Sequence, residues 1–146
     1  MMQEICGDLW EYHQQGLVVA ITTGGLLEKG GYCAMPRGCA RQAKDKFDGL
    51  SWTLGQQILA HGNHVFDLGR RIVSFPIEES PFEVPDTRLI ERSCRELVEL
   101  TDYKGWKQVI VPRPGCGGGG LLWGDIKPIL EPVFDDRFLI ISLPEQ

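Results

Sequence analysis

Glycine is concentrated in two short segments of this 146-residue chain, and each follows an apolar run. Segment 112–123 reads PRPGCGGGGLLW and places five glycines within residues 115–120, after the run 109–111. Glycine adopts positive φ angles and lets a ligand approach the backbone closely. Successive N–H groups in such a turn form a concave anion site. Segment 112–123 therefore predicts an anion-binding loop.

Two common phosphate-binding motifs do not fit this loop. The Walker pattern GxxxxGK[ST] is absent, and the tract 115–120 satisfies GxGxxG only because it is almost entirely glycine. A flexible surface loop is the alternative interpretation. An entropic cost of roughly 0.5–1 kcal/mol per glycine relative to alanine disfavours that alternative.

The second glycine segment, residues 22–32 (TTGGLLEKGGY), also follows an apolar run, residues 17–22. It too can present N–H groups, and Lys29 adds a positive charge, although a solvated loop lysine is an equal alternative. Ligands of open α/β sheets bind outside the carboxyl ends of the strands. Two such loops at one sheet edge predict a clamp for a diphosphate.

The elements that must position these loops are strands and helices in alternation. Runs 17–22, 109–111 and 138–141 are continuously apolar, as expected for strands that are covered on both faces. Residues 64–68 and 72–75 predict a hairpin or two adjacent strands around Gly69, and residues 2–6 predict an edge strand.

Three helices are expected between the strands. One runs from Pro36 to Phe47, and one is capped by Asp86 or Thr87 and ends near Thr101. A third spans residues 126–134, with Asp125 as its cap and Pro132 as a kink or early end. We therefore predict an α/β fold in one domain, residues 1–146: a three-layer α-β-α sandwich with a mixed, mainly parallel central sheet.

Composition excludes several classes of protein. A formal net charge of −5 argues against an extended nucleic-acid surface, which needs a basic face. Five cysteines without a CxxC pair argue against a disulfide framework and a metal site. No basic leader precedes an apolar stretch, and no apolar run approaches the ~20 residues that span a bilayer. We expect a cytoplasmic monomer that does not associate with membranes.

The order of these motifs resembles the macrodomain family over nearly the whole chain. Residues 7–9 (GDL) match its opening GD[IL] element, residues 18–31 align with IVNAANxxLxGGGG, and residues 111–117 match its P-x-[IL]-G-C-G loop. The branch it resembles most contains terminal ADP-ribose glycohydrolases and antitoxins that remove ADP-ribose from DNA. The resemblance implies ADP-ribose, free or on a macromolecule, as ligand and partner, and no cofactor.

The resemblance also implies roles for individual residues. The carboxylate of Asp8 would accept a hydrogen bond from the adenine amino group, with a capping or turn aspartate as the alternative. Phe138 would lie near the position where macrodomains stack an aromatic ring on adenine. The implied ligand-binding residues are Asp8, Leu9, Thr22, Thr23, Lys29, Gly30, Gly31, Tyr32, Pro114, Gly115, Cys116, Gly117, Gly118, Gly119, Gly120 and Leu121.

The sequence departs from the hydrolases of that branch at their catalytic positions. Enzymes of that branch share a lysine just after a central strand. Some also use an aspartate in the loop that corresponds to segment 112–123 of this chain. Here Glu78 and Glu79 follow the strand, and segment 112–123 lacks an aspartate. The two glutamates could form an acid/base pair, but adjacent carboxylates in an exposed, proline-flanked loop are expected to be solvated. Lys29 is a weak candidate to substitute for the lysine.

Three functions remain open. The first is a module that binds ADP-ribose, and the second is a hydrolase that removes it from protein or nucleic acid by a non-standard catalytic set. The third is an interaction domain whose pocket has decayed. The missing lysine and aspartate favour the first over the second, and the intact glycine loop disfavours the third.

Two further residues of the glycine loop carry expectations. Loop N–H groups would lower the pKa of the Cys116 thiol, although Cys116 is a packing residue in the resembled family. Trp123 is expected to anchor the glycine loop to the sheet.

Overall fold

A computed structural model describes residues 1–142, which form seven strands and five helices. The strands are β1 (Gln3–Cys6), β2 (Val18–Gly24), β3 (Leu27–Glu28), β4 (Tyr32–Cys33), β5 (Ile72–Glu78), β6 (Val109–Pro112) and β7 (Phe138–Ser142). The helices are α1 (Leu9–Gln14), α2 (Gly38–Lys46), α3 (Leu50–His61), α4 (Thr87–Lys104) and α5 (Trp123–Leu130). Five strands form the central sheet in the order β1-β7-β6-β2-β5, and all their pairings are parallel.

The central sheet is buried on both faces, which confirms the three-layer α/β sandwich. Val19 and Ile21 of β2 pack in one core cluster with residues of α1, α2 and α3. Val18 and Ala20, which point the other way, pack in a second cluster with residues of α4 and α5. Antiparallel pairing among the described residues is confined to β3 with β4 and to an isolated bridge between Asp67 and Val73.

Helix α4 forms as its sequence predicts. Asp86 caps it, with Oδ1 accepting from the backbone N–H of Arg88 at 2.9 Å. Leu89, Ile90, Cys94 and Leu97 bury one face, and Gly105 ends the helix in a left-handed conformation. The predicted edge strand is also confirmed, because β1 lies at the end of the sheet beside β7.

Helix α5 begins earlier than predicted. Leu122 is its N-cap, so Asp125 lies in the first turn and the prediction of an Asp125 cap is wrong. A carboxylate in the first turn still stabilises the helix by interacting with its positive end. The helix ends at Leu130, before Pro132, because proline lacks the N–H that would continue it.

Residues 64–68 do not form the predicted strand. Arg70 and Arg71 adopt positive φ angles of 56° and 60° in the turn before β5, and the pairing is reduced to the Asp67–Val73 bridge. The hydroxyl of Ser74 contributes to holding this segment, because it accepts from the N–H of Phe66 at 2.9 Å.

Helices α1 and α3 were not predicted. Leu50, Leu54 and Ile58 of α3 recur every four residues and are buried, but Gly55 in their midst lowers helix propensity. The glycine is needed for packing, since a Cβ atom on Gly55 would lie 1.9 Å from the carbonyl oxygen of Gly31. Helix α3 therefore packs directly on the backbone of the β3–β4 hairpin.

Candidate functional site

A cavity of about 500 Å³ lies at the carboxyl ends of β2, β5 and β6. Its volume falls within the range of small-molecule sites, roughly 300–1,000 Å³. The structure brings half of the predicted ligand-binding residues to its lining: Asp8, Leu9, Thr22, Thr23, Gly115, Gly117, Gly118 and Gly119. Residues of both predicted glycine segments therefore line one cavity at this edge of the sheet.

The glycine loop, residues 112–123, forms one wall of this cavity. Gly115 has a φ of +74°, and its carbonyl accepts from the N–H of Leu121 at 2.9 Å, which closes the loop. A Cβ atom on Gly119 would lie 2.7 Å from the Gly115 oxygen and 2.7 Å from Cγ of Pro85. Among residues 1–142, the N–H groups of Gly117, Gly118 and Gly119 donate to no acceptor. Three adjacent residues whose amides are free therefore line the cavity.

The amino-terminal end of α2 forms another wall of the cavity. This helix begins at Gly38, later than the predicted Pro36, and its N-cap residue Arg37 makes no side-chain capping bond. The first N–H groups of a helix lack intrahelical acceptors and carry partial positive charge. Residues 34–40 line the cavity. This helix end is thus a second candidate element of an anion site. The sequence predicts a helix here but does not indicate that it belongs to the site.

Residues 29–32 are not brought to this cavity. Lys29, Gly30 and Tyr32 are exposed, and a Cβ atom on Gly31 would lie 2.6 Å from Nε2 of Gln56 in α3. The β3–β4 hairpin packs on α3 because Gly55 has no side chain that would clash with the hairpin backbone. Lys29 is therefore outside the cavity lining. Four predicted ligand-binding residues of segment 112–123 are also outside the lining: Pro114, Cys116, Gly120 and Leu121.

Arg37 connects the segments around the cavity. Its Nη2 donates to the carbonyl of Pro81 at 3.1 Å and lies 4.0 Å from Oε2 of Glu78. Its Cδ would be 3.4 Å from a Cβ atom on Gly118. A guanidinium group therefore lies between the amino-terminal end of α2, the glycine loop and the end of β5.

Glu78, at the end of β5, is buried and lines the cavity, so the expectation that it is solvated is wrong. Glu79, its neighbour, is exposed as expected. Burial raises the pKa of the Glu78 carboxyl, opposed by Arg37 and assisted by the negative charge of Glu83. The reason for the burial is that β5 continues through Glu78 beside Gly24 of β2. Only the structure reveals this extension of the strand.

The raised pKa of Glu78 predicts a pH-dependent stability. Above the usual value of 4.5, the folded chain retains the Glu78 proton more strongly than the unfolded chain, so this residue's contribution to stability falls as pH rises. Glu78→Gln should therefore gain about 1 kcal/mol in free energy of unfolding at pH 7 relative to wild type. Urea titrations at pH 4 and 7 test this. The gain should shrink at pH 4, and Glu79→Gln is the control; equal gains at both pH values would contradict the assignment.

Asp8 caps a helix, one of the two roles considered for it, and also lines the cavity. Its Oδ1 accepts from the backbone N–H of Trp10 at 2.9 Å and caps α1, and its side chain also belongs to the cavity lining. The cap fixes the direction of the carboxylate, and Oδ2 makes no bond to the rest of residues 1–142. The capping role therefore leaves one oxygen for a ligand.

Phe138 cannot stack on a ligand in this cavity. It opens β7 at the opposite end of the sheet, is fully buried, and stacks on Phe134 with centroids 4.3 Å apart. The expectation for Phe138 is wrong because the cavity lies at the carboxyl ends of the strands. At that end, β7 contributes Ile141 to the lining.

The thiol of Cys116 is not activated by the loop. Burial raises its pKa and outweighs the opposing charge of Arg113, so the expected lowering is wrong. The thiol points back to the carbonyl of Pro114 at 3.5 Å and packs against the core.

Slow alkylation of Cys116 follows from this packing. The thiolate is the reactive form, so a half-buried thiol with a raised pKa should react about tenfold or more slowly with iodoacetamide at pH 7 than the exposed Cys6. Peptide mass spectrometry over a time course measures both rates in one sample. Faster labelling of Cys116 than of Cys6 would show that the loop activates it after all.

Glu4 of β1 supports the end of the glycine loop. It accepts from Nε1 of Trp123 at 2.8 Å and pairs with Nζ of Lys127 at 2.7 Å, and these hydrogen bonds lower its pKa. The guanidinium of Arg113 lies 4.8 Å from the centre of the Trp123 ring. The expected anchoring of the loop to the sheet by Trp123 is confirmed.

Residues 1–142 contain neither a cluster of metal-ligand side chains nor a helix that could span a membrane. No group of three or more histidine, cysteine, aspartate or glutamate side chains is placed to hold a metal ion. None of the helices has the length and apolar character required to cross a bilayer.

Comparison with known proteins yields likeness in structure alone. The chain matches no protein-family model and no curated protein by sequence. It superposes on the macrodomain of Mycobacterium tuberculosis DarG with a TM-score of 0.80 at 21% identity, covering 97% of each chain. The macrodomain of Thermus aquaticus DarG gives 0.77 at 20% identity, with 99% of each chain covered. Thermosipho africanus DarTG, solved in complex with ADP-ribose, gives 0.76 at 20%, covering 99% of this chain and 42% of that one.

Proposed function

Since the chain has the macrodomain fold, we propose that it binds ADP-ribose, either free or attached to a macromolecule. The observation that carries the proposal is the set of free N–H groups at Gly117, Gly118 and Gly119, which line a cavity also bounded by the uncapped end of α2. Backbone amides and a helix amino terminus together form an anion site. A diphosphate between the two has donors on both sides.

The width of the sheet edge along which the cavity lies supports a ligand that extends beyond its diphosphate in both directions. Asp8 follows β1 and Glu78 ends β5, and these strands are the two edges of the central sheet. Four strand spacings separate the edges, roughly 19 Å at the usual 4.8 Å per spacing. The proposed phosphate-binding elements lie between those edges: the glycine loop follows β6, and α2 packs on β2. A nucleotide that carries a second sugar beyond its diphosphate extends on both sides of the diphosphate in the same way.

The adenine end of the ligand is assigned to Asp8. Its Oδ1 is used for the helix cap, which leaves Oδ2 to accept a hydrogen bond from an exocyclic amino group. The Thermosipho africanus DarTG structure is one of the similar folds and holds ADP-ribose. The distal ribose then extends towards Thr23 and Glu78.

Calorimetry with ADP-ribose tests the proposal, with AMP as the control. ADP-ribose should bind at least about tenfold more tightly than AMP, because AMP supplies one phosphate group and no distal ribose to these donors. Absence of heat with ADP-ribose at millimolar concentration would overturn the proposal. A cavity of about 500 Å³ also argues against the alternative of a decayed pocket.

Hydrolysis of ADP-ribosyl groups is a second candidate function, favoured by one observation. Glu78 is a buried carboxyl with a raised pKa in the cavity, the type of group that enzymes use as a general acid or base. In such a reaction the carboxylate takes a proton from water as the water oxygen bonds to the anomeric carbon and the bond from that carbon to the leaving group breaks. The carboxyl then passes this proton to the leaving group. Lys29 is outside the lining and is not needed in this scheme.

Release of ADP-ribose from modified protein and from modified DNA distinguishes the two functions. A hydrolase should release it, and Glu78→Gln should reduce the rate by about 100-fold or more. Binding without release would assign the chain to the readers of the modification. Release that is unaffected by Glu78→Gln would exclude the carboxyl as its general base.

A further inference from the structure

Residues 79–86, the loop between β5 and α4, hold two apolar side chains in solvent. Phe82 is 90% exposed and Val84 is 73% exposed. Among residues 1–142, neither side chain packs in a core cluster. Exposed apolar groups that lie close together and are rimmed by polar residues mark surfaces that bind other molecules. The pair is therefore a candidate contact for a partner.

This loop is attached to the walls of the cavity. The carbonyl of Pro81, which lines the cavity, accepts from Nη2 of Arg37 at 3.1 Å. A Cβ atom on Gly119 would lie 2.7 Å from Cγ of Pro85, so the loop also packs on the glycine loop. Leu122, near the end of the glycine loop, is 70% exposed. Apolar side chains are therefore exposed on two segments that border the cavity.

The charge of residues 79–86 limits the class of partner. The loop carries three exposed carboxylates and no lysine or arginine: Glu79, Glu83 and Asp86. Two arginines adjoin it, Arg37 and Arg88, so three carboxylates stand against two guanidinium groups. A nucleic-acid strand binds where cations neutralise its phosphates, and these carboxylates would repel it. A protein segment that places lysine or arginine between apolar residues complements both the charge and the exposed apolar groups.

We infer that residues 79–86 and Leu122 dock the macromolecule to which ADP-ribose is attached, and that this macromolecule is a protein segment with apolar and basic side chains. The inference rests on the proposed binding of ADP-ribose. In that proposal the distal ribose lies towards Glu78, and the loop begins at the next residue. Whatever is attached to that ribose therefore leaves the cavity beside the loop. Single strands of nucleic acid also stack bases on aromatic rings, but their sites combine the rings with a positively charged groove.

Calorimetry with four ligands tests the inference. They are free ADP-ribose, a short leucine–lysine peptide that carries ADP-ribose through a stable linker, the same peptide with glutamate in place of lysine, and a single-stranded oligonucleotide that carries ADP-ribose. The basic peptide should bind about tenfold more tightly than free ADP-ribose, because it also covers Phe82 and Val84. The acidic peptide and the oligonucleotide should bind no more tightly than free ADP-ribose, because the loop repels their charges.

Substitutions in the loop should change the affinity for the peptide without changing that for free ADP-ribose. Phe82→Ser and Val84→Ser should each remove most of the tenfold gain, about several-fold per residue. Tyr103→Ser is the matched control, since Tyr103 is an exposed aromatic residue at the far end of α4 and outside the cavity lining. Glu83→Lys should weaken binding of the basic peptide relative to free ADP-ribose and strengthen binding of the oligonucleotide. Thermal melts confirm that each variant is folded.

The outcomes distinguish failure of the docking surface from failure of the proposed function. If wild type binds none of the four ligands, the proposed function fails, and the inference fails with it. If free ADP-ribose binds but the basic peptide binds no more tightly, or its gain survives in Phe82→Ser and Val84→Ser, the docking inference alone is overturned. A gain for the oligonucleotide instead would overturn the assignment to a protein partner. A gain for the basic peptide that Phe82→Ser removes and Tyr103→Ser retains supports the inference.

Discussion

Gly118→Leu should weaken ADP-ribose binding on the order of 100-fold, equivalent to losing one or two hydrogen bonds to a charged group. The side chain would start 3.4 Å from Cδ of Arg37, in the cavity, and would cover the amides of the glycine loop. The backbone should tolerate it, since the φ angle of Gly118 is not in the left-handed region and the neighbouring arginine side chain is exposed and flexible. Calorimetry with ADP-ribose measures the loss.

Gly124→Leu is the matched control for that experiment. Gly124 lies in α5, just after the same loop, and a Cβ atom there would meet nothing within 4 Å. It is outside the cavity lining, so the same substitution should leave ADP-ribose affinity within about twofold. Retained affinity in Gly118→Leu would mean that the diphosphate binds elsewhere. Equal losses in both variants would point to a general disturbance of the loop.

Gly55→Ala should lower the free energy of unfolding by about 2 kcal/mol and the Tm by roughly 8 °C. The added Cβ would lie 1.9 Å from the carbonyl oxygen of Gly31 and 3.0 Å from the amide nitrogen of Cys33. Both are backbone atoms, so α3 and the β3–β4 hairpin must separate. The gain in helix propensity, about 1 kcal/mol, offsets only part of the cost.

Differential scanning calorimetry of Gly55→Ala beside Gly124→Ala measures this packing. Gly124→Ala is also helical but has open space around it, and it should gain about 0.5 kcal/mol. A Gly55→Ala variant as stable as wild type would show that the hairpin does not pack closely on α3. Because Gly55 is outside the cavity lining, its ADP-ribose affinity below the melting range should be retained.

The layers of the fold were predictable because burial on both faces leaves a clear sequence pattern. Val18 to Thr22 and Val109 to Val111 are uninterrupted apolar runs, and both became parallel strands of the central sheet. Helix α4 combines a capping aspartate, an apolar stripe and a terminal glycine, so every local signal agrees. Helix α3 was missed because Gly55 serves a tertiary contact that its own segment does not encode.

The candidate site was predictable only in part, because its walls come from segments distant in sequence. The glycine loop is recognisable from its own segment, because its glycines determine the conformation of that segment's backbone. The other wall was assigned to residues 29–32, whereas residues 34–40 line the cavity. A helix predicted to begin near Pro36, after a strand and its loop, was the available signal for an anion site. The burial of Glu78 depends on how far β5 pairs with β2, which local sequence does not specify.

The sheet order has a consequence for the order of events during synthesis. Strand β1 pairs with β7 alone among the described strands, and Ser142 contacts Ile5 across 137 residues of sequence. Glu4, which holds Trp123 at the exit of the glycine loop, lies in that early strand. The ribosome must therefore synthesise the chain as far as β7 before β1 can pair with the central sheet. Pairing of strands so far apart in the sequence slows folding. Nascent chains that end before β7 should fail to retain ADP-ribose.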